Sequence, residues 1–144
     1  MMPAGTYVVI DLCYVMHPEW NEVCELIIDK HSCKEGEFEL SDGRRFAIYN
    51  TGYGDGEYSS NTPNSFCVDS GSIGCIKLED IRDESYSMDM IKKLGAIFTF
   101  DDDFVVSAHN GTICLGEVEI YTNEDPSYYE EEEEEYYEDE EENY

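Results

Sequence analysis

The sequence is poor in basic residues. Lysine and arginine together number 8 in a chain of 144 residues, against 35 aspartates and glutamates, and the formal net charge is −27. A charge of this sign repels the phosphates of DNA and RNA and the surface of anionic membranes. We therefore expect no direct binding to nucleic acid and none to membranes. The partner that this charge favours is a basic protein.

Long apolar runs are also missing. The longest candidate, Thr6–Met16, is well short of the roughly 20 residues that a membrane-spanning helix needs. The first residues lack a basic segment, and Asp11 interrupts the apolar run, so we expect no secretory signal. These absences predict an intracellular protein.

The six cysteines lack the spacing of a metal site. No C-x-x-C or H-x-x-x-H unit is present, so we expect no structural zinc and no other cofactor. Four of the cysteines lie in apolar, strand-like runs, where a free cysteine behaves as a small hydrophobic residue, and this favours reduced thiols over disulfides. Cys33 lies in a polar segment and is predicted to be exposed. With His31 two residues away, a thiol–base pair is the alternative interpretation of this segment.

Residues 122–144 differ in composition from the rest of the chain. They contain 13 of the 35 acidic residues and no basic or aliphatic residue, so they cannot form a core. Glutamates four positions apart repel each other and oppose a helix at neutral pH. We predict a globular domain over residues 1–121, with 22 acidic and 8 basic residues and hence a net charge of −14. A disordered tail rich in glutamate and tyrosine is predicted over residues 122–144.

The pattern of apolar residues predicts mostly β-structure. Thr6–Met16 is β-branched and aromatic, and predicts a buried first strand. Pro18–Lys30 predicts a helix, because proline suits a first helical turn and apolar residues follow at helical spacing. Asp42-Gly43 and Asn110-Gly111 are dipeptides typical of tight hairpin turns.

Further strands are predicted in pairs that are adjacent along the chain. Their ranges are Phe38–Leu40 with Arg44–Asn50, Phe66–Asp69 with Ser72–Leu78, Ala96–Phe100 with Phe104–His109, and finally Thr112–Tyr121. Thr51–Ser65 has no apolar periodicity and predicts a long loop, whereas Met88–Leu94 predicts a short helix. The expected fold class is α+β. It is mostly antiparallel β, as a sandwich-like or curled sheet, with one helix from the N-terminal half packed on it.

Two groups of residues are candidates for a ligand site. Gly54, Asp55 and Gly56 can bring backbone N–H groups to an anion or place a carboxylate on a divalent ion. Asp11 and Asp69 border strands and can join Asp55 in a metal or acid–base cluster. The structural alternatives are a turn that needs glycine, an outward-facing Asp11 on an alternating strand, and a simple turn at Asp69. No P-loop lysine or EF-hand series follows, so we expect no bound metal.

Asp101-Asp102-Asp103 is a third acidic feature. Three adjacent aspartates between two apolar segments predict a solvated turn, with weak calcium binding as the alternative.

The tail gives the strongest functional signal. When extended, a run of glutamates carries about one charge per 3.4 Å, which is close to the linear charge of one DNA strand. Tyrosine rings can in addition stack where bases would. The tail residues expected to bind a partner are Tyr128, Tyr129, Glu130, Glu131, Glu132, Glu133, Glu134, Glu135, Tyr136 and Tyr137. A solubilising appendage is the alternative, and mimicry of duplex DNA would require the charge of the body on one face.

The first half of the chain resembles a group of small proteins of tailed-phage genomes. Gly5–Val15 (GTYVVIDLCYV) is similar to a strand of that group that reads roughly Y-V-I-x-D-P-C-Y-V, with Leu12 in place of the proline. Thr51–Tyr58, with its Gly-Asp-Gly core, and Val68–Gly74 are similar to the later motifs of the group. The resemblance covers about residues 5–81. It implies a viral protein in the cytoplasm of a host cell, assigns no activity, and draws attention to the three aspartates named above.

Charge and resemblance together predict an interaction protein rather than an enzyme. We expect an acidic, phage-type accessory protein that binds and inhibits a basic, nucleic-acid-handling host protein, through nucleic-acid mimicry or as a counter-defence factor. Two alternatives remain open. One is a small metal- or nucleotide-binding domain or hydrolase that uses Asp11, Asp55 and Asp69. The other is a minor component of the virion.

Overall fold

The computed structural model describes residues 1–28, 32–82 and 84–123, and only the backbone of residues 84–86. Residues 124–144 of the predicted disordered tail, which include all those expected to bind a partner, lie outside the described residues.

Within the described residues, ten strands form three antiparallel sheets. In chain order the strands are β1 (Gly5–Ile10), β2 (Gly36–Glu39), β3 (Arg45–Asn50), β4 (Gly56–Ser59), β5 (Ser65–Val68), β6 (Ser72–Lys77), β7 (Ala96–Phe100), β8 (Val106–His109), β9 (Thr112–Leu115) and β10 (Val118–Tyr121). The main sheet has five strands in the order β2-β3-β6-β1-β7. The two small sheets have the orders β10-β9-β8 and β4-β5. Each pairing between neighbours is antiparallel.

The main sheet is buried on both faces. One face carries Tyr7, Val9 and Cys75, which pack with buried residues of the two small sheets. The other face carries Val8 and Ile10, which pack with buried residues of the helical segments. Each face removes a contiguous apolar surface from water, which is the main stabilising contribution in a domain of this size. The predicted fold class, mostly antiparallel β with a helix packed on it, is confirmed.

Two α-helices contribute to the layer that covers the second face. Helix α1 (Trp20–Ile27) follows a short 3₁₀ turn that begins at His17 and contains Pro18, and Val23 and Ile27 are its buried residues. The helix predicted over 18–30 is therefore confirmed as far as Ile27. It is wrong at Ile28, which is extended and forms a bridge to Cys33, and Asp29 and Lys30 lie outside the described residues. Helix α2 (Glu84–Leu94) confirms the predicted second helix and begins four residues earlier than expected.

The prediction of one strand over Thr6–Met16 is wrong in its second half. Strand β1 ends at Ile10, and a 3₁₀ turn follows over Leu12–Tyr14. Asp11 caps this turn, because its side chain accepts a hydrogen bond from the N–H of Cys13. A side chain that offers the backbone a local partner competes with the strand ladder, and the strand ends there.

The prediction of a long loop over Thr51–Ser65 is also wrong in part. Strand β4 lies inside this range and pairs with β5, and Ser60 forms an isolated bridge to Ile120 of β10. The predicted pairing of Phe66–Asp69 with Ser72–Leu78 does not form, because β6 is flanked by β1 and β3 in the main sheet. The turn at Ser70-Gly71 therefore carries the chain from one sheet to another.

A second crossing replaces the hairpin predicted about Asp101–Asp103. Strand β7 pairs with β1 in the main sheet, whereas β8 pairs with β9 in a small sheet. The segment predicted as one strand over Thr112–Tyr121 is two strands, β9 and β10, separated at Gly116, which has φ = +60°. The hairpins at Asp42-Gly43 and Asn110-Gly111 are confirmed. At the latter both φ values are positive, +52° and +86°, as a type I′ turn requires.

Candidate functional site

Asp11 is completely buried and accepts four hydrogen bonds from the protein. Its Oδ2 accepts the backbone N–H groups of Asp69 and Ser70, each at 2.7 Å. Its Oδ1 accepts the hydroxyl of Ser70 at 2.7 Å and the N–H of Cys13 at 3.1 Å. The outward-facing Asp11 considered from the sequence is therefore wrong. The side chain ties the end of β1 to the crossing between β5 and β6.

In the structure, the charges of the three candidate aspartates all act on one thiol group, that of Cys13. Burial raises the pKa of the Cys13 thiol, and the negative charges of Asp11, Asp69 and Asp55 raise it further. Asp55 and Asp69 have exposed side chains, whereas Asp11 lies beneath them. The described residues include no group of three or more histidine, cysteine, aspartate or glutamate side chains placed to hold a metal ion. Because four protein donors use both oxygens of Asp11, its geometry is that of a structural carboxyl group.

The glycine-rich segment beside Asp55 forms a turn. Gly54 has φ = +73° in open space, a conformation that glycine adopts without strain. The carbonyl oxygen of Gly54 accepts hydrogen bonds from Thr51 Oγ1 at 2.6 Å and from Tyr58 Oη at 2.9 Å. Gly56 is buried at the start of β4. These contacts supply a structural reason for the Gly-Asp-Gly pattern.

The end of the described chain is held beside this turn by hydrogen bonds and close packing. Thr122 is completely buried, its Oγ1 accepts the N–H of Gly52 at 2.9 Å, and its own N–H donates to the carbonyl of Gly111 at 2.9 Å. A Cβ on Gly52 would collide with the carbonyl oxygen of Thr122, so the close approach requires glycine. Thr122, which the sequence analysis assigned to the tail, therefore packs against the body.

The two small sheets lie in chain segments that contain acidic residues and no lysine or arginine. We use the name acidic layer for residues 51–71 and 101–123, which contain β4, β5, β8, β9, β10 and their connections. This layer contains eight acidic residues and no lysine or arginine; the acids are Asp55, Glu57, Asp69, Asp101, Asp102, Asp103, Glu117 and Glu119. All except the half-buried Glu119 are exposed. A surface of one sign produces a potential that attracts an oppositely charged partner over long range.

The rest of the body carries charges of both signs, and several of them form ion pairs. Arg44 forms ion pairs with Glu19 and with Asp42, the latter at 2.8 Å, and its hydrogen bonds lower the pKa of Asp42. Arg45 and the N-terminal amine pair with Glu37 at 2.9 and 2.7 Å. All eight lysines and arginines lie outside the acidic layer. The acidic layer therefore contributes acidic side chains without lysine or arginine, whereas the rest of the body contributes charges of both signs.

The cysteines are all free thiols, and their surroundings differ. Cys33 is exposed, whereas Cys75 is buried and burial raises its pKa to about 12. Burial also raises the pKa of Cys24, Cys67 and Cys114. His31, the base considered for Cys33, lies outside the described residues.

We expect Cys33 to be the thiol that reacts first with a thiol reagent at mildly alkaline pH. The thiolate is the nucleophile, and a raised pKa leaves less thiolate at a given pH, so the five other cysteines react more slowly. Labelling of the folded protein with a chromogenic disulfide should show a single fast equivalent. The Cys33→Ser variant should lose this fast phase, and its persistence in that variant would contradict the assignment.

No protein-family model, curated protein or solved structure matches this chain in the comparisons with known proteins. Among the described residues, no helix has the length and apolar character needed to cross a membrane.

Sequence reasoning missed the acidic layer and the hydrogen bonds of Asp11. The absence of lysine and arginine from residues 51–71 and 101–123 is visible in the sequence. Recognising it as a surface requires the knowledge that these two ranges pack together, through β4 and β10. One feature of the sequence indicated the burial of Asp11: it is a single charged residue within an apolar run.

Proposed function

We propose that this protein is an acidic, phage-type accessory factor that binds and blocks a basic, nucleic-acid-handling protein in the cytoplasm of a host cell. The observation that supports this proposal most is the acidic layer, with eight acids and no lysine or arginine. A basic groove that normally holds phosphates is complementary to such a surface. The proposed activity is occupation of a binding surface, without a chemical step.

The position of Thr122 adds to this argument. The described chain ends at Asn123, on the acidic layer, and residues 124–144 add 13 acidic residues and no basic one. Two acidic elements in one chain, joined at this point, give a partner two surfaces to contact. Linked contacts of this kind raise the overall affinity above that of either contact alone.

The alternative that uses Asp11, Asp55 and Asp69 as a ligand site receives less support. A ligand or metal at Asp11 would have to displace hydrogen bonds from Asp69, Ser70 and Cys13. Breaking them costs the desolvation of several backbone donors. No observation on the described residues favours a minor virion component over an interaction protein.

Neutralising the acidic layer should weaken capture of the partner strongly. The test variant carries Glu57→Gln, Asp101→Asn, Asp102→Asn and Glu117→Gln, all at exposed positions of the layer. The matched control carries Glu25→Gln, Glu39→Gln, Glu79→Gln and Asp89→Asn, which are exposed positions outside the layer and change the net charge equally. We expect the layer variant to lose about tenfold or more in affinity and the control to lose much less. A deletion of residues 124–144 gives the contribution of the tail.

The measurement is affinity capture from a host lysate at low and high salt, with identification of the captured proteins and competition by single-stranded DNA. The proposal predicts basic nucleic-acid-binding proteins whose capture falls with salt and is prevented by the DNA. Capture of only neutral or acidic proteins, or equal losses in the layer variant and its control, would contradict it.

A further inference from the structure

Strand β7 is an edge strand that borders an apolar groove. It occupies one end of the main sheet, where β1 is its neighbour on the inner side. A groove of about 420 Å³ lies between β7, the β7–β8 connection and the turn between β9 and β10. It is lined by Phe98, Thr99, Phe100, Asp101, Asp102, Asp103, Phe104, Gly116, Glu117 and Val118. Its volume is within the range of sites that hold a ligand.

The floor of this groove is a fixed cluster of aromatic rings. The rings of Phe100 and Phe104 are stacked, with centroids 3.9 Å apart and planes within 16° of each other. The ring of Tyr7 meets both of them edge-on, at 5.9 and 5.0 Å. Gly116 leaves room for this arrangement, since a Cβ there would lie 3.2 Å from Phe100 Cε1. Phe98 and Phe100 are half-buried, so apolar surface of β7 remains accessible from the groove.

The rim of the groove is acidic. Asp101, Asp102, Asp103 and Glu117 are exposed and line the groove, and the described residues of its lining include no lysine, arginine or histidine. Asp103 also accepts a hydrogen bond from the N–H of Ala4 at 2.9 Å, which fixes the β7–β8 connection to the N-terminal segment. Because successive side chains of a strand point to opposite faces of the sheet, the groove fits a segment whose apolar side chains enter it and whose basic residues lie at the end next to Asp101–Asp103.

We use the name β7 groove for strand β7 together with the groove beside it. We infer that the β7 groove accepts an extended basic segment of a partner protein as an added strand of the main sheet. An edge strand offers backbone N–H and C=O groups that another strand can bind. Every second side chain of the added strand would point into the groove and place apolar groups on Phe98 and Phe100, and lysine or arginine at the end of the segment would reach the acidic rim. The inference rests on the proposed function and names the form in which the basic partner binds.

The acidic rim repels the two other segments that could occupy the groove, the tail of this chain and a second copy of it. The tail of this chain carries 13 acidic residues and no basic residue, so the rim repels it. A second copy of the chain would bring another net charge of −27 and a second acidic rim. A basic segment from another protein is the occupant that the lining favours.

The test uses the full chain and a short synthetic peptide in which a central stretch of alternating valine and threonine is flanked by lysines at both ends. Two matched peptides have the same sequence and charge but carry N-methyl groups on every second backbone amide, on the odd-numbered amides in one peptide and on the even-numbered amides in the other. A methylated amide cannot donate the hydrogen bond that pairs two strands, so these peptides lose strand pairing. We expect the unmodified peptide to bind and to shift the NMR signals of residues 96–100 and 116–118. At least one methylated peptide should bind about tenfold more weakly or worse. Equal binding of all three peptides, or shifts spread over the acidic layer without the β7 groove, would overturn the inference, as would formation of a dimer by the chain alone.

A pair of charge-reversal variants separates this inference from the proposed function. Asp101→Lys with Asp102→Lys reverses the rim of the β7 groove, and Glu57→Lys with Asp89→Lys changes the net charge equally at exposed positions away from it. We expect the first variant to weaken peptide binding about tenfold or more relative to the second. If the unaltered protein captures a basic, nucleic-acid-binding host partner but the peptide does not bind at β7, the strand-addition inference fails and the proposed function stands. If no basic partner is captured by any form of the protein, the proposed function fails.

Discussion

Replacing Asp11 by asparagine is expected to lower the free energy of unfolding by about 3 kcal/mol or more, since hydrogen bonds to a charged acceptor contribute about 1.5–3 kcal/mol each. An amide has one oxygen, whereas the side chain of Asp11 uses both of its oxygens as acceptors. Whichever way the amide is oriented, its NH₂ group faces donors that oxygen now satisfies. The donors left without a partner are buried together with the side chain, which is fully inaccessible to water.

The effect should spread beyond the substituted residue. Asp11 caps the 3₁₀ turn over Leu12–Tyr14 and at the same time holds the N–H groups of Asp69 and Ser70. Ser70 passes the network on to Ser72, whose hydroxyl is 2.9 Å away, at the start of β6. One carboxyl group thus joins the two sides of the crossing between sheets.

The matched control for this prediction is Asp69→Asn. The side chain of Asp69 is exposed, and its recorded link to Asp11 is made by its backbone N–H. An exposed substitution of this kind usually changes stability by less than about 0.5 kcal/mol. Urea unfolding followed by circular dichroism measures both variants. If Asp11→Asn were no less stable than Asp69→Asn, the carboxyl group would not be structural, and the ligand-site alternative would regain support.

The features that sequence predicted well depend on local chemistry. Asp42-Gly43 and Asn110-Gly111 identify tight turns because few residues adopt a positive φ, and both are hairpins in the structure. Helix α1 was visible because Pro18 and the helical spacing of Val23 and Ile27 are independent signals for one element. These signals act within a few residues, so they do not depend on which strands become neighbours.

The features that sequence missed depend on long-range packing. Ser70-Gly71 and Asp101–Asp103 have the composition of hairpin turns, yet at both places the chain moves from one sheet to another. Local propensity cannot distinguish these cases, since the choice is made by burial of both faces of the main sheet. The partner of β5 is β4, within a segment whose glycines and polar residues hid its alternating pattern.

At the candidate site, too, the sequence predicted the local features and missed those that depend on long-range packing. The excess of acids was plain from composition, but its segregation follows from the packing of two ranges that are distant in sequence. The three candidate aspartates do lie near one another around Cys13. Their arrangement differs from the one that a metal or acid–base cluster needs, because Asp11 is buried beneath its backbone donors.

The substitution Gly74→Ala is expected to destabilise the protein by about 3 kcal/mol, at the upper end of what overpacking usually costs. Gly74 lies in β6 at the centre of the main sheet, opposite Ile10 of β1 and Ile48 of β3. A Cβ there would collide with the carbonyl oxygen of Ala47 and lie 2.8 Å from Cδ1 of Leu12. Relief would require β3 and β6 to separate or the turn over Leu12–Tyr14 to move.

The control that isolates this steric effect is Gly54→Ala. Gly54 has φ = +73° and open space around it, so alanine there meets conformational strain alone, worth about 1–2 kcal/mol. Gly74 is not one of the described glycines with a positive φ, so the loss of stability in Gly74→Ala comes from steric contact alone. Chemical unfolding should therefore rank Gly74→Ala below Gly54→Ala in stability. The opposite order would mean that the main sheet can open at β6 without loss of packing, and the central position of this strand would no longer explain its glycine.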